Sequence, residues 1–391
     1  MKRFSLTASI AASLLCLSAS YAMPAQGIAT LDIPKAEASA KAQINKILWT
    51  HAGDLEAQAG QVQNIGTAGM LNGVSNGYII VGGGANFPDG GPEKGGAKKY
   101  YSDVYVLEPS QGTLKQINHT NLSHEIGYGA SITAKDGIYY IGGSPINEEA
   151  NKIIRITADK HGKISEEEIA SLPFTFSDGT AVMKDRTIYI AAGKQNGKPS
   201  NKFYAFNLDN KELIELPAVP GEATRTQCVA QILGNDMCLF SGGDAVAYTD
   251  GWKYDITNST WSRISDVLAN GQKISLLGAG SVKINDEEML VVGGFNKEVY
   301  DDAVSKLTTL KGDELASFKN AYFGANPAML KWNKKILLYN ASTNAWHSIG
   351  EVPFDAPCGE ALINYNGYIY SINGEIKPGT RSNRMYAGLI E

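Results

Sequence analysis

Histidine, cysteine and charge are all scarce in this chain. Its 391 residues hold five histidines and four cysteines, and only 19% of them are charged. Five histidines without clustered spacing weigh against a histidine-held metal centre. A net charge of −5 with no basic run argues against nucleic acid or an anionic membrane as partner. Beyond residues 10–17 no apolar run approaches the length of a membrane span. Cys16 falls in that N-terminal run, so Cys228, Cys238 and Cys358 remain. Three thiols cannot all pair within one chain, and no disulfide framework is implied. Cys228 and Cys238 lie in one apparent hairpin, where either a bridge or two buried thiols would fit.

What is abundant is glycine, at 42, and tyrosine, at 19. That balance suits many short strands joined by tight turns. The N-terminus has the form of a signal peptide. Lys2 and Arg3 supply the charge, Ile10 to Leu17 the apolar centre, and Ser20-Tyr21-Ala22 the small residues of a cleavage site. Leu15 is too bulky for the usual lipidation site at Cys16. The expectation is a leader over residues 1–22, a periplasmic protein, and one domain over residues 23–391.

Self-similarity organises that domain. A strand-like run ends in a glycine doublet or its equivalent six times: Gly82-Gly83, Gly142-Gly143, Ala192-Gly193, Gly242-Gly243, Gly293-Gly294 and Asn373-Gly374. Successive spacings are 60, 50, 50, 51 and 80 residues. A second echo follows, with Tyr254 and Trp261 seven apart, as are Tyr339 and Trp346. A period near 50 with several strands per unit is the pattern of kelch repeats, in which each unit is one blade. The reading is an all-β, six-bladed kelch-type propeller. The last blade runs through residues 360–365, 367–372 and 382–390 and stops one strand short. Ile47-Leu48-Trp49-Thr50 can supply that strand and leave no free edge, with Trp49 in the position of Trp261 and Trp346. Two loops after doublets are long: residues 84–100, expected to be irregular, and 295–333, helix-permissive over about 302–321. Both follow second strands, so both are expected over one mouth of the channel.

The most pointed stretch is Asn373-Gly374-Glu375-Ile376-Lys377-Pro378-Gly379-Thr380-Arg381. Turns at Gly374 and at Pro378-Gly379 can bring Glu375 and Arg381 face to face. Such a pair can bind a small hydroxylated anion, since a guanidinium takes a carboxylate bidentately. It can equally be a salt bridge that shapes the turn. Arg225, in Thr224-Arg225-Thr226-Gln227, opens an innermost strand and points to the same mouth. Lys194 and Asp244 occupy the slot after their doublets, as Glu375 does. His124 is placed at the start of an innermost strand.

The 372–381 stretch resembles the signature of the bacterial N-acetylneuraminate epimerases, sialic acid mutarotases built as six-bladed kelch propellers. The Gly- and Lys-containing segment from Gly82 to Tyr105 resembles a long loop of the same family. The likeness covers essentially the whole mature chain in rotated order, as in a cyclically permuted branch, which a closed ring tolerates. The resemblance implies that Glu375 is the proton acceptor and Arg381 its active-site partner. It also implies that Arg225 and Gln227 bind substrate, although Thr226 stands where the family pattern has an acidic residue. The implied reaction interconverts the anomers of a sugar acid, sialic acid, with no cofactor. A non-catalytic sugar-binding or scaffolding propeller is the alternative. A copper oxidase on a kelch ring would need clustered His and Tyr ligands that the chain lacks.

Overall fold

A computed structural model describes residues 44–58, 60–221 and 224–391. The leader and its cleavage site lie outside the described residues. Strand after strand is set by β-branched and aromatic runs such as Tyr78-Ile79-Ile80-Val81, whose last three side chains are fully buried. Burial on both strand faces explains why these runs are continuous rather than alternating. The hairpin turns are chemical too: Asn76-Gly77 and Asn366-Gly367 both hold positive φ, the type I′ requirement.

The main strands form six antiparallel blades of four, and in blade 1 the short strand Ala85–Asn86 adds a fifth. Blade 1 uses Leu71–Ser75, Tyr78–Gly82, Lys99–Ser110 and Thr113–Ile126. Blade 2 uses Ala130–Ala134, Gly137–Ile141, Lys152–Ala158 and Ile164–Ser171. Blade 3 has Thr180–Lys184, Thr187–Ala191, Phe203–Asn207 and Leu213–Leu216, and blade 4 Val229–Leu233, Asp236–Phe240, Gly251–Asp255 and Thr260–Ile264. Blade 5 has Gly280–Lys283, Glu288–Val292, Lys335–Asn340 and Ala345–Glu351. Blade 6 joins Ala361–Tyr365, Tyr368–Ile372 and Arg384–Ile390 to the early strand Ile47–Asp54.

That last pairing is the expected seam. It runs from Ile47 opposite Ile390 to Asp54 opposite Arg384. Trp49 sits across from Gly388, where Trp261 and Trp346 face Tyr254 and Tyr339, and it packs edge-on against Phe354 at 5.3 Å. The core lies between blades. Ile79, Val81, Tyr105 and Leu107 of blade 1 bury against Ile363, Tyr370, Ile372 and Met385 of blade 6. Each such aliphatic side chain contributes about 1.5–3 kcal/mol.

Two devices close the ring. Each innermost strand packs beside the next, and that of blade 6 beside that of blade 1. In addition, Gly69, Tyr128, Asp178, Gln227, Gly278 and Gly359, each two residues ahead of an innermost strand, form a cycle of six backbone hydrogen bonds. Each N–H donates to the carbonyl of the preceding residue in the cycle, at 2.6–3.3 Å, and Gly69 donates back to Gly359. All six hold φ between 52° and 76°. The glycine doublets stitch neighbouring blades: Gly143 N–H donates to the Phe176 carbonyl, and a Cβ on Gly142 would lie 2.1 Å from that same oxygen. Only glycine fits there.

Three sequence expectations change. The 295–333 insertion holds two main helices, α1 (Lys297–Thr309) and α2 (Gly312–Gly324), and a short α3 (Pro327–Leu330). The expected single tract is split because Leu310 and Lys311 take extended backbone. The 84–100 loop is less irregular than expected: Ala85–Asn86 pairs with Lys99 and Tyr100 as the third strand starts early. His124 lies in the outermost strand of blade 1, beside Glu149 and Glu166 at 3.9 Å, and opens no innermost strand.

Candidate functional site at the mouth of the ring

Glu375 opens the strand Glu375–Lys377, which folds back on Thr380–Arg381 through Pro378-Gly379, with Glu375 opposite Arg381 in register. Six residues of spacing thus become a direct contact: Arg381 Nη1 donates to Glu375 Oε1 at 2.6 Å. The Gly379 N–H donates to the same oxygen at 2.8 Å. Among the described residues Oε2 has no hydrogen-bond partner, so it is the oxygen left to take a proton. The Glu375 backbone exchanges both its hydrogen bonds with Cys358 at 2.8 Å, one residue from Gly359 of the cycle. The carboxylate is therefore fixed to the floor of the mouth.

Arg381 is the more buried partner, its side chain 3% exposed against 18% for Glu375. Nε donates to the Ala85 carbonyl at 3.2 Å and Nη2 to the Tyr128 hydroxyl at 3.2 Å. Its guanidinium carbon lies 5.1 Å from the Phe87 ring centroid. Three of the five guanidinium N–H groups are thereby used, which leaves two. Burial works against the charge of Arg381, but Glu375 and Tyr128 outweigh it and hold its pKa above the ordinary value. Burial also pushes the Tyr128 phenol up, with Arg381 opposing.

Both insertions meet this hairpin, as expected. Residue Ala85 of the first takes the Arg381 bond, and Lys377 Nζ donates to the Ala325 carbonyl of the second at 3.2 Å. Lys98 stands over the Tyr128 ring at 4.9 Å and near Phe87 at 6.0 Å. Both insertions thus contact the hairpin that carries the pair.

Arg225 is not brought to this pair. Its guanidinium grips Asp250 through two bonds of 2.9 Å, donates to the Ser241 carbonyl at 3.1 Å, and stacks over Tyr248 at 4.9 Å. The side chain is only 3% exposed, so it anchors the segment that carries Gln227. Gln227 stands in the backbone cycle, beside Asp178, whose carboxylate holds Lys194 at 3.0 Å. Asp244 accepts a bond from Thr224. Sequence reasoning missed Tyr128 and Asp178. Their signal was position: each stands two residues ahead of an innermost strand, 50 residues apart. A cavity of about 1140 Å³ lies at the other end of the channel among residues such as Asn72, Ser131, Gln231 and Asn364, and holds none of the predicted site residues. Cys228, Cys238 and Cys358 are free and buried, the first two thiols pushed up to about 12 by burial.

Fold and mouth together define a kelch-type propeller whose mouth carries a carboxylate–guanidinium pair contacted by both insertions. The family model of N-acetylneuraminate epimerase matches residues 27–164 and 169–391, and the chain belongs to that family. It is 28% identical over 237 residues to the N-acetylneuraminate epimerase of Yersinia enterocolitica, covering 57% of each chain. It is 27% identical over 235 residues to that of Salmonella paratyphi B, covering 56% of this chain and 58% of the other. These alignments thus span little more than half the length of the curated relatives. A solved structure described as that of YjhT aligns at 23% identity and a TM-score of 0.49, over 55% of this chain and 63% of that one.

Proposed function

We propose that this protein interconverts the anomers of N-acetylneuraminate by opening and reclosing the sugar ring. The observation that carries the proposal is the Glu375 carboxylate, held by Arg381 and the Gly379 N–H on one oxygen only. A base whose second oxygen is open can take the anomeric hydroxyl proton and return it after closure. The charge is shuttled and no cofactor is required. The two unspent N–H groups of Arg381, with Lys98 close by, suit the substrate carboxylate and fix its orientation. Gln227, two residues from the anchored Arg225, supplies an amide on the neighbouring part of the floor. We also propose export to the periplasm, supported by the Lys2-to-Ala22 pattern.

The test is to dissolve a single anomer of N-acetylneuraminate and follow the anomer ratio by NMR with and without protein. Faster approach to the same equilibrium is the expected outcome. An unchanged rate, with the sugar still bound, would replace the enzyme by a sugar-binding propeller.

A further inference from the structure

Opening a pyranose needs two proton transfers: one from the anomeric hydroxyl and one to the ring oxygen. On the proposed function above, Glu375 performs the first. Arg381 cannot perform the second, because a guanidinium does not release its proton in proteins. The second group therefore has to be sought around them.

Tyr128 stands out on three counts. First, it is the one aromatic residue among the six of the backbone cycle, all of which share the left-handed conformation it holds at φ 56°. Second, its partner in the cycle is shaped for it. A Cβ on Gly69 would lie 2.5 Å from Cδ1 of the Tyr128 ring, so the preceding blade leaves the space bare. Third, one guanidinium bridges it to the base: Arg381 Nη1 holds Glu375 while Nη2 holds the Tyr128 oxygen. Arg381 has no acceptor, so the tyrosine oxygen accepts that bond and its own proton stays unspent.

We propose that Tyr128 is the proton donor to the ring oxygen, acting in concert with Glu375. As Glu375 takes the anomeric hydroxyl proton, that oxygen's electron pair forms the carbonyl and the bond from the anomeric carbon to the ring oxygen breaks. The ring oxygen receives the broken bond's electrons and the phenol proton. Tyr128 becomes a phenolate beside Arg381, which stabilises it by a charge-assisted bond. After rotation of the open chain, the freed hydroxyl attacks the opposite carbonyl face. It gives its proton back to Tyr128, and Glu375 returns the other to the new anomeric oxygen. Both groups end as they began.

The groups facing the phenol are Arg381 and Glu375 from the hairpin, Lys98 and Tyr100 from the first insertion, and Asp178 from the next blade. Burial and the two carboxylates keep it protonated at neutral pH, as an acid must be before the step.

The experiment compares Tyr128→Phe with the parent in the NMR anomer assay. Loss of the donor should lower kcat by about 10²–10⁴-fold with KM unchanged. A tyrosine that merely positions Arg381 would instead raise KM and spare kcat, and that result overturns the proposal. In a second variant, fluorinated tyrosine at position 128 keeps the shape and lowers the phenol pKa. The alkaline limb of the pH–rate profile should move to lower pH, and an unmoved limb also overturns the proposal. A parent that fails to accelerate the anomers removes both the proposed function and this role, whereas an active parent matched by an active Phe variant removes the role alone.

Discussion

Two buried arginines sit at the same mouth, each against a carboxylate, and they are built for different ends. Arg225 meets Asp250 through both carboxylate oxygens, and Trp252 Nε1 adds a third bond at 2.7 Å. Every oxygen there is spent. Arg381 meets Glu375 through one oxygen, and its remaining contacts go to a carbonyl and a tyrosine hydroxyl. Burying a charge pair is defensible only when its hydrogen bonds are complete. The closed pair comes near that condition, with both Asp250 oxygens bonded and Arg225 Nε left buried without a partner among the described residues. The open pair leaves a carboxylate oxygen and two guanidinium N–H groups without partners among the described residues, which is what a substrate site requires. The difference separates a strut from a candidate reaction centre although both read as Arg plus acid.

The sharpest way to break the comparison is Glu375→Gln. The amide keeps the shape but cannot take the proton, so anomer interconversion should fall by about 10²–10⁴-fold. Stability should fall as well, because Arg381 keeps a buried charge without its counter-charge, so the assay is run well below the melting temperature. A variant as fast as the parent in the NMR assay would reduce the pair to a turn-shaping salt bridge.

The mirror experiment is Arg225→Ala. It strands Asp250 and Trp252 and should cost about 3–5 kcal/mol of stability, the scale for half of a broken buried pair. Denaturant unfolding monitors it. Activity measured well below the melting temperature should survive far better than in the Glu375 variant. If Arg225→Ala instead leaves stability intact and raises KM for the sugar acid, then Arg225 is a substrate ligand and the closed pair is not merely structural.

The sequence made much of this legible. Doublets marked the blade-to-blade stitches because at positions such as Gly142 and Gly293 a Cβ would collide with a neighbouring carbonyl, and that constraint is local. The seam was legible because a three-stranded last blade leaves one edge and Trp49 repeats an aromatic position. The Glu375–Arg381 contact followed from a six-residue hairpin closed by Pro378-Gly379. The cycle of backbone bonds was not legible. It depends on six segments about 50 residues apart meeting at one axis, and nothing within any one segment requires Tyr128 to take a left-handed conformation. Asp250 was hidden for the same reason: it lies 25 residues beyond Arg225, and only the folded blade shows that it consumes the guanidinium.

A third carboxylate, Glu360, is more deeply buried than either and sharpens the comparison because it has no arginine at all. It follows Gly359 of the cycle, and a Cβ on Gly374 would lie 3.0 Å from its own Cβ, so it packs against the hairpin that carries Glu375. Ser371 Oγ donates to Oε2, while Oε1 has no partner among the described residues. Burial raises its pKa from 4.5 to about 8, with Ser371 opposing. A raised acid is held protonated by the fold. Below about pH 4.5 folded and unfolded chains both carry the proton and nothing is lost. Between there and about pH 8 the unfolded chain releases a proton that the folded chain keeps, so stability falls as pH rises. Above about pH 8 the folded chain also ionises and the loss levels off. Glu360→Gln removes this linkage, so it should match the parent near pH 4 and exceed it by about 4–5 kcal/mol at pH 8–9. Urea unfolding of both proteins across that range is the measurement. Parallel curves would mean that Glu360 stays ionised in the fold, and that a carboxylate can lie against this hairpin without the guanidinium that Glu375 and Asp250 both need.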